Sequence, residues 1–374
     1  MYLAIREMRF AKGRYALIAT IMVLVSFLVL FVTGLAQGLA YDNAASIKNM
    51  AATHFVLEQD SNHRFTRSQV NQDQLEQSRS VVGQENAEPL GVKMTTVSPA
   101  DDTKKIDVTL FMVNPEGWLA PTVTEGVPIA EQKDGQVVVD QKLSESGVTI
   151  GTVLVDQASG IEWTVGGFVQ NESFSHSPVV FLNEQEWLAL QGSSRTSPDT
   201  AGNNVSSYNA IAIKDAGVKV DSLSAALPNA EVITKSEAVS AIPGYKEEQG
   251  SLLMMIAFLF VISAFVLAVF FYVITIQKTS QFGILKAIGT RNAYLAGSVS
   301  LQVLLLSVGS LVISVLLVRL FESILPASMP FQLGLSTLAL TCIVFVIMSV
   351  AGSLFSVWKV AKIDALDAIG RTAA

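Results

Sequence analysis

Four stretches of the chain carry no charge and almost no polarity for longer than a soluble helix needs: Tyr15–Ala40, Leu252–Ile276, Ala293–Val318 and Leu333–Val357. Each exceeds the about 20 residues that cross about 30 Å of hydrocarbon at about 1.5 Å per residue. Inside lipid every backbone amide must pair within its own segment, so each stretch predicts a membrane-crossing helix. Small residues at Gly34, Ala36, Gly38 and Ala40 also suit a cleavable signal peptide. The apolar core is too long for the about 7–15 residues of such a signal, so the first stretch predicts an anchor. Between the first and second stretches the pattern shortens. Strand-like runs fall at Asp107–Val113, Gln136–Asp140, Trp163–Val169, Val179–Leu182 and Ala210–Ile213. Helices are predicted at Asn183–Leu190, with Asn183 as N-cap, and at Asp221–Ala226. Ser193–Ser207, rich in Ser, Asn, Gly, Thr and Pro, predicts a loop. Residues 41–249 are therefore expected to form a mixed α+β domain.

Composition agrees with a membrane protein: 50% of the 374 residues are hydrophobic, 15% are charged and the mean hydropathy is +0.45. Soluble domains carry nearer about a quarter charged residues. The net charge of −7 hides a division, because residues 41–249 hold 14 basic and 28 acidic side chains and the remainder 11 and 4. The basic residues lie in three places: Arg6, Arg9, Lys12 and Arg14; Lys278, Lys286 and Arg291; and Lys359, Lys362 and Arg371. Between the third and fourth stretches only Arg319 occurs. Positive charge marks the cytoplasmic side. Four crossings put all three basic segments inside together and the acidic domain outside. The expected layout is a cytoplasmic amphipathic segment 1–14, spans 15–40, 250–276, 293–318 and 333–357, and an extracellular domain 41–249. A cytoplasmic helix at 277–292, a short outer loop at 319–332 and a cytoplasmic tail at 358–374 complete it.

Catalysis is not expected. The histidines are His54, His63 and His176, none within HExxH, and no serine stands in a G-x-S-x-G elbow. The acidic side chains of the domain read as solvated surface. With one cysteine, Cys342, the chain has no disulfide framework, zinc site or CxxCH haem attachment. An acidic domain is the wrong sign for nucleic acid. GxxxxGK[ST] is absent, so nucleotide phosphates need another subunit.

The most informative passage is Thr279-Ser-Gln-Phe-Gly-Ile-Leu-Lys-Ala-Ile-Gly-Thr-Arg291. Thr279 or Ser280 can cap a short helix and Gly289 can end it in the left-handed conformation. Ile284, Leu285 and Ile288 are expected on one face and Lys286 on another. Such a helix either rests on lipid headgroups or docks a soluble partner. Ala4–Ala16, amphipathic and basic, and Trp358–Ile369, which continues the last span, suit the docking reading.

Gln277–Gly289 together with Val360–Ile369 resembles the signature of the FtsX/MacB-like ABC permease family, whose usual form is E-I-G-I-L-[RK]-A-I-G followed by a terminal [AV]-x-[IK]-[DP]-x-[DI]-x-A-[IL]. Gln277 and Gln281 replace the glutamates of many members, which puts salt bridges to an ATPase at those points in doubt. Leu3–Tyr15, Gly34–Leu39, Phe270–Gln281 and Met329-Pro-Phe331 are similar to the haem-exporting branch of Gram-positive bacteria. The resemblance implies an integral membrane α-helical protein of the type VII ABC transporter class, with four transmembrane helices and a large extracellular α+β domain after the first. It implies a multi-pass permease of the plasma membrane, without an enzyme activity or cofactor of its own. Two copies would pair with an ABC ATPase that binds ATP and magnesium. The segment Gln281, Phe282, Gly283, Ile284, Leu285, Lys286, Ile288 and Gly289 would couple to that ATPase. Another cargo (antimicrobial peptide, macrolide or lipoprotein) or regulation of a cell-wall hydrolase fits the same fold.

For a haem cargo, the candidate site is the approach to the second span, Tyr245-Lys-Glu-Glu-Gln-Gly-Ser-Leu-Leu-Met-Met255. Haem iron accepts His, Met, Tyr or Cys, and carboxylate oxygen is chemically reasonable. Glu248, Glu247, Tyr245, Met254 and Met255 are the candidates there, with Phe, Leu and Met side chains of the first two spans about the plate. His176 is a rival; solvation is the default role for the two glutamates, and surface or packing the commoner one for a lone histidine. No metal site beyond haem iron is expected. Gly34-x-x-x-Gly38 allows close helix approach, either within the chain or at a two-fold axis.

Overall fold

The computed structural model describes residue 10 and residues 12–193, 207–215, 220–326 and 329–361. Most of segment 1–14, loop Ser193–Ser207 and tail 358–374 lies outside the described residues, as does most of Val360–Ile369. The chain divides into two compact units, residues 1–38 with 250–374, and residues 39–249.

In chain order the helices are α1 (Lys12–Asp42), α2 (Ala45–Asn49), α3 (Gln72–Val82), α4 (Glu184–Ser193), α5 (Val220–Ala226), α6 (Lys235–Ser240), α7 (Tyr245–Gln277), α8 (Thr279–Ala287), α9 (Asn292–Glu322) and α10 (Leu335–Ala361). The strands are β1 (His54–Glu58), β2 (Val70–Asn71), β3 (Ala87–Pro99), β4 (Ile106–Met112), β5 (Glu125–Gly126), β6 (Gln136–Asp140), β7 (Val153–Asp156), β8 (Glu162–Val169), β9 (Ser173–Phe174), β10 (Ser177–Leu182), β11 (Ser207–Tyr208), β12 (Ala210–Ile213) and β13 (Ala230–Thr234).

The unit of residues 39–249 is built on one sheet of order β13-β1-β12-β3-β4-β10-β6-β8-β5. Strand β7 pairs with both β3 and β8, so β3, β4, β10, β6, β8 and β7 close into a ring. Pairs β4/β10 and β6/β8 are parallel. The apolar runs are continuous because the sheet is covered on both faces. Val137 and Val139 enter one core with Leu110, Trp163 and Val180; Val138 enters the other with Phe111, Val179 and Phe181. Helices α3, α4 and α5 cover the first core and α2 and α6 the second. The five expected strands and two expected helices are present, and the Asn183 carboxamide accepts from the Glu186 amide at 2.9 Å. Capping boxes at Asn71/Gln74 and Thr234/Glu237 fix the starts of α3 and α6.

The expectation of a solvated acidic surface needs correction. Glu88, Asp140, Asp156 and Glu186 are buried and each binds loop donors. Glu88 accepts the amides of Trp118 and Leu119, and Glu186 accepts the Gly135 amide and the Trp163 indole. Asp156 accepts from Thr95 and Ser159. They hold turns together, which position in sequence does not announce.

In the other unit, α1, α7, α9 and α10 are long and apolar enough to cross a membrane. Helix α1 packs on α9 through hydroxyls: Ser26 Oγ lies 2.6 Å from Ser314 Oγ, and Ser314 also donates to the Val23 carbonyl. Near the end of α1, Gly34 sits under the Phe331 ring, Gly38 under the Pro330 carbonyl, and the Gln332 amide donates to Gly34 O at 3.1 Å. The Gly-x-x-x-Gly face meets the chain's own residues Pro330 and Phe331. A Cβ at Gly38 would overlap Pro330 backbone, so Gly38→Val is expected to cost about 3 kcal/mol. Its thermal midpoint in detergent should fall by several degrees, while Gly309→Ala, where space is open, leaves it unchanged.

Candidate functional site

Helix α7 ends at Gln277 and α8 starts at Thr279, so a single residue joins them. The Thr279 hydroxyl cap does not form as read. The N-cap is Lys278, without a side-chain cap bond, and the Thr279 hydroxyl donates back to the Ile276 carbonyl; the Ser280 side chain is outside the described set. The end is as expected. Gly289 has φ 96°, and the amides of Gly289 and Thr290 donate to Lys286 and Leu285 carbonyls, a Schellman motif.

The face of α8 differs from the expected one. Phe282 is 8% exposed and joins the helix core with the half-buried Leu285, and Gly283 is buried too. Ile284 and Ile288 are 52% and 78% exposed, with Gln281 exposed beside them. Positions 281, 284 and 288 form one outward stripe, and Leu285, about 100° round the helix from Ile284, is half-buried at its edge. Helical phase decides this: 282 and 285 share the turn that meets the bundle. Lys286 is half-buried and Gly289 exposed.

The second set of candidates lies in the unit of residues 39–249. Glu248 Oε2 accepts from Asn43 Nδ2 at 2.5 Å and lies 3.0 Å from His176 Nε2. The two residues read from sequence as rivals are therefore partners. Glu248 Oε1 is buried and accepts no hydrogen bond among the described residues. His176 Nδ1 lies 3.5 Å from Asp42 Oδ2, and Asp42 is paired with Lys142 and accepts from Ser173.

His176 is held there by its turn. Ser175 and His176 link β9 to β10 with φ 52° and 62°, the two positive values a type I′ hairpin demands. Residues other than Gly there cost about 1–3 kcal/mol each, which the Ser175 amide offsets in part by donating to Asn43 O at 2.8 Å. Sequence reasoning missed Asp42, Asn43, Asp140, Lys142 and Glu172, which build the neighbourhood. The available signal was Asp42-Asn43 directly after an apolar run.

Of the other candidates, Tyr245 is half-buried with Lys48 Nζ 5.2 Å from its ring centre, and Glu247 is exposed. Met254 and Met255 lie one and a half and two turns beyond Glu248 on α7 and are exposed. Spacing puts Met255 on the helix face of Glu248.

With that geometry in hand, likeness to known proteins is informative. A Staphylococcus haemolyticus protein is 30% identical over 370 residues, covering 99% of each chain. The FtsX-like permease C-terminal model matches residues 253–365. The chain belongs to the FtsX-like ABC permease family. It is an ABC-type permease with four helices long and apolar enough to cross a membrane and a large α+β domain between the first and second of them. The S. haemolyticus relative, and a Staphylococcus epidermidis one 29% identical over 371 residues and 99% of both chains, are described as candidate hemin transport system permease proteins HrtB. Among solved structures, the extracellular domain of the transporter YknZ from Gram-positive bacteria aligns at TM-score 0.32 and 14% identity, over 46% of this permease and 87% of that chain. The periplasmic region of MacB from Actinobacillus actinomycetemcomitans aligns at 0.35 and 12%, over 53% and 94%.

Glu172, beside this cluster, has a testable consequence. Burial pushes its carboxyl up from 4.5 to about 7, opposed by hydrogen bonds and reinforced by the charge of Asp140. A carboxyl raised on folding favours the protonated folded state, so its contribution is intact below pH 4.5 and is lost as pH rises through about 7. Glu172→Gln should therefore raise the thermal midpoint of the permease above pH 7 and leave it unchanged near pH 4. Scanning calorimetry across that range checks both arms.

Proposed function

We propose that this permease is the membrane subunit of an ABC-type haem efflux pump in the plasma membrane, with both termini and α8 in the cytoplasm. Two copies pair with an ATPase that uses ATP and magnesium. The ATPase docks on the outward stripe Gln281, Ile284 and Ile288; Phe282 and Leu285 carry the motion into the bundle on which they pack.

The observation that carries the cargo reading is Glu248. One oxygen is shared by a histidine and an asparagine and the other is buried without a donor among the described residues, at the head of a span with a thioether two turns along the same face. Carboxylate, imidazole and thioether are all able to meet haem iron, and the apolar α7 surface of Leu253, Met254 and Phe258 suits the porphyrin plate. In a two-copy pump, a Glu248 from each chain would approach opposite faces of the plate. The names of the full-length relatives favour haem over peptide or macrolide.

Haemin added to the purified permease should give a Soret shift, and Glu248→Ala combined with Met254→Leu and Met255→Leu should weaken binding at least about tenfold, the loss of one good ligand contact. A wild-type spectrum that does not shift overturns the haem cargo. Deletion should sensitise cells to haemin; chained or misshapen cells with normal haemin tolerance would instead assign the protein to cell-wall hydrolase control. For docking, Ile284→Asp with Ile288→Asp should abolish co-purification of the ATPase without lowering the permease's melting temperature. A complex that survives both substitutions removes the proposed interface.

A further inference from the structure

Lys278, one of the basic residues read as marking the cytoplasmic side, is 8% exposed. Its ammonium donates to the Tyr15 hydroxyl at 2.6 Å and to Gln302 Oε1 at 3.1 Å, and lies 5.2 Å from the centre of the Tyr15 ring. Tyr15 Oη in turn donates to Gln302 Oε1 at 2.6 Å. Tyr15 and Gln302 are themselves buried, on α1 and α9, among Ile18, Leu295, Val299 and Val303 of the apolar core. One residue at the α7–α8 joint thus ties three helices at a single polar node.

We infer that Lys278 is a positioning residue that transmits tilting of α8 to the first and third spans, an inference that rests on the ATPase docking at α8. Three observations carry it. The residue sits at the break between α7 and α8, with φ −97° and ψ 4°. Its backbone carbonyl still accepts the Phe282 amide at 3.0 Å, so a rotation of α8 displaces it. Its side chain is anchored on two other helices, so that displacement stretches or breaks the node. A buried cation sharpens this response, because losing its bonds to Tyr15 and Gln302 in an apolar core is costly. A leucine or methionine would pack there with less desolvation, so stability alone does not call for lysine.

The test uses full-length permease with its ATPase in lipid nanodiscs, comparing wild type with Lys278→Met, Lys278→Arg and Tyr15→Phe. Lys278→Met should keep the ATPase bound and the melting temperature at or above wild type. The permease-dependent increase in ATP hydrolysis, and haemin export from vesicles, should fall roughly tenfold. Lys278→Arg should restore part of the coupling and Tyr15→Phe should lose part of it. Wild-type coupling in Lys278→Met overturns the inference. So does a variant that melts early or sheds the ATPase, since that assigns the lysine to structure. A wild-type complex that couples ATP hydrolysis without any response to haemin overturns the cargo reading alone, and the role of Lys278 is still read from permease-dependent hydrolysis. A wild-type permease that does not bind the ATPase removes the docking reading and the inference with it.

Discussion

The membrane unit depends on the contact between α1 and α9. Hydrocarbon gives helices no hydrophobic reason to associate, so close packing and hydrogen bonds must hold them. Both are present along this seam. Ser26 and Ser314 meet near its middle, Ser310 reaches the Ala19 carbonyl, and Tyr15 bonds Gln302 towards the start of α1. At the other end Phe331 closes over Gly34, and Gln37 donates to Thr337 on α10 at 2.6 Å. Phe27, Phe31, Phe321 and Phe331 add stacked and tilted rings at that end. Helix α7 stands apart. It is the least buried of the four, and the side chains it does bury, Ser263, Leu267, Phe271 and Thr275, follow one four-residue stripe. A held pair and a more open helix are the parts a lever needs.

Spans, domain class and the end of α8 were legible because each rests on local physics. Length without charge predicts a crossing, and Gly289 supplies the φ that stops a helix. Strand β6 was legible because three valines in a row suit a sheet covered on both faces. Strand β3 was not: Pro89, Gly91 and a polar stretch at Thr95 and Thr96 obscure a 13-residue strand whose order comes from β12, β4 and β7. The orientation of α8 was misread for a related reason. Apolar residues occur on both of its sides, and only the bundle decides that Phe282 and Leu285 turn inward while Ile284 and Ile288 remain outside.

The polar sites were the least legible, since they depend on residues far apart in the chain. Glu248 and His176 are separated by 72 positions and Tyr15 and Gln302 by 287. Single-residue reasoning ranked Glu248 and His176 against each other; folding makes them one hydrogen-bonded pair. The acidic surplus of residues 41–249 was similarly opaque. Charge counts do not separate a solvated carboxylate from Glu88 or Glu186, whose burial is tolerated because loop amides and an indole satisfy them.

Burial cost also separates what the fold needs from what it is used for. The Ser26–Ser314 contact joins neutral hydroxyls that share their two protons among each other and nearby backbone carbonyls, so it is made with little desolvation. The ammonium of Lys278 is different, because an ion taken into an apolar bundle loses far more hydration than a neutral hydroxyl does. A side chain that is expensive at rest and ideally placed to feel motion of the adjacent helix is poorly explained as glue. Its cost makes the surrounding arrangement easy to tip, which is the property required where a small push on a nine-residue helix must reach spans of about 30 residues.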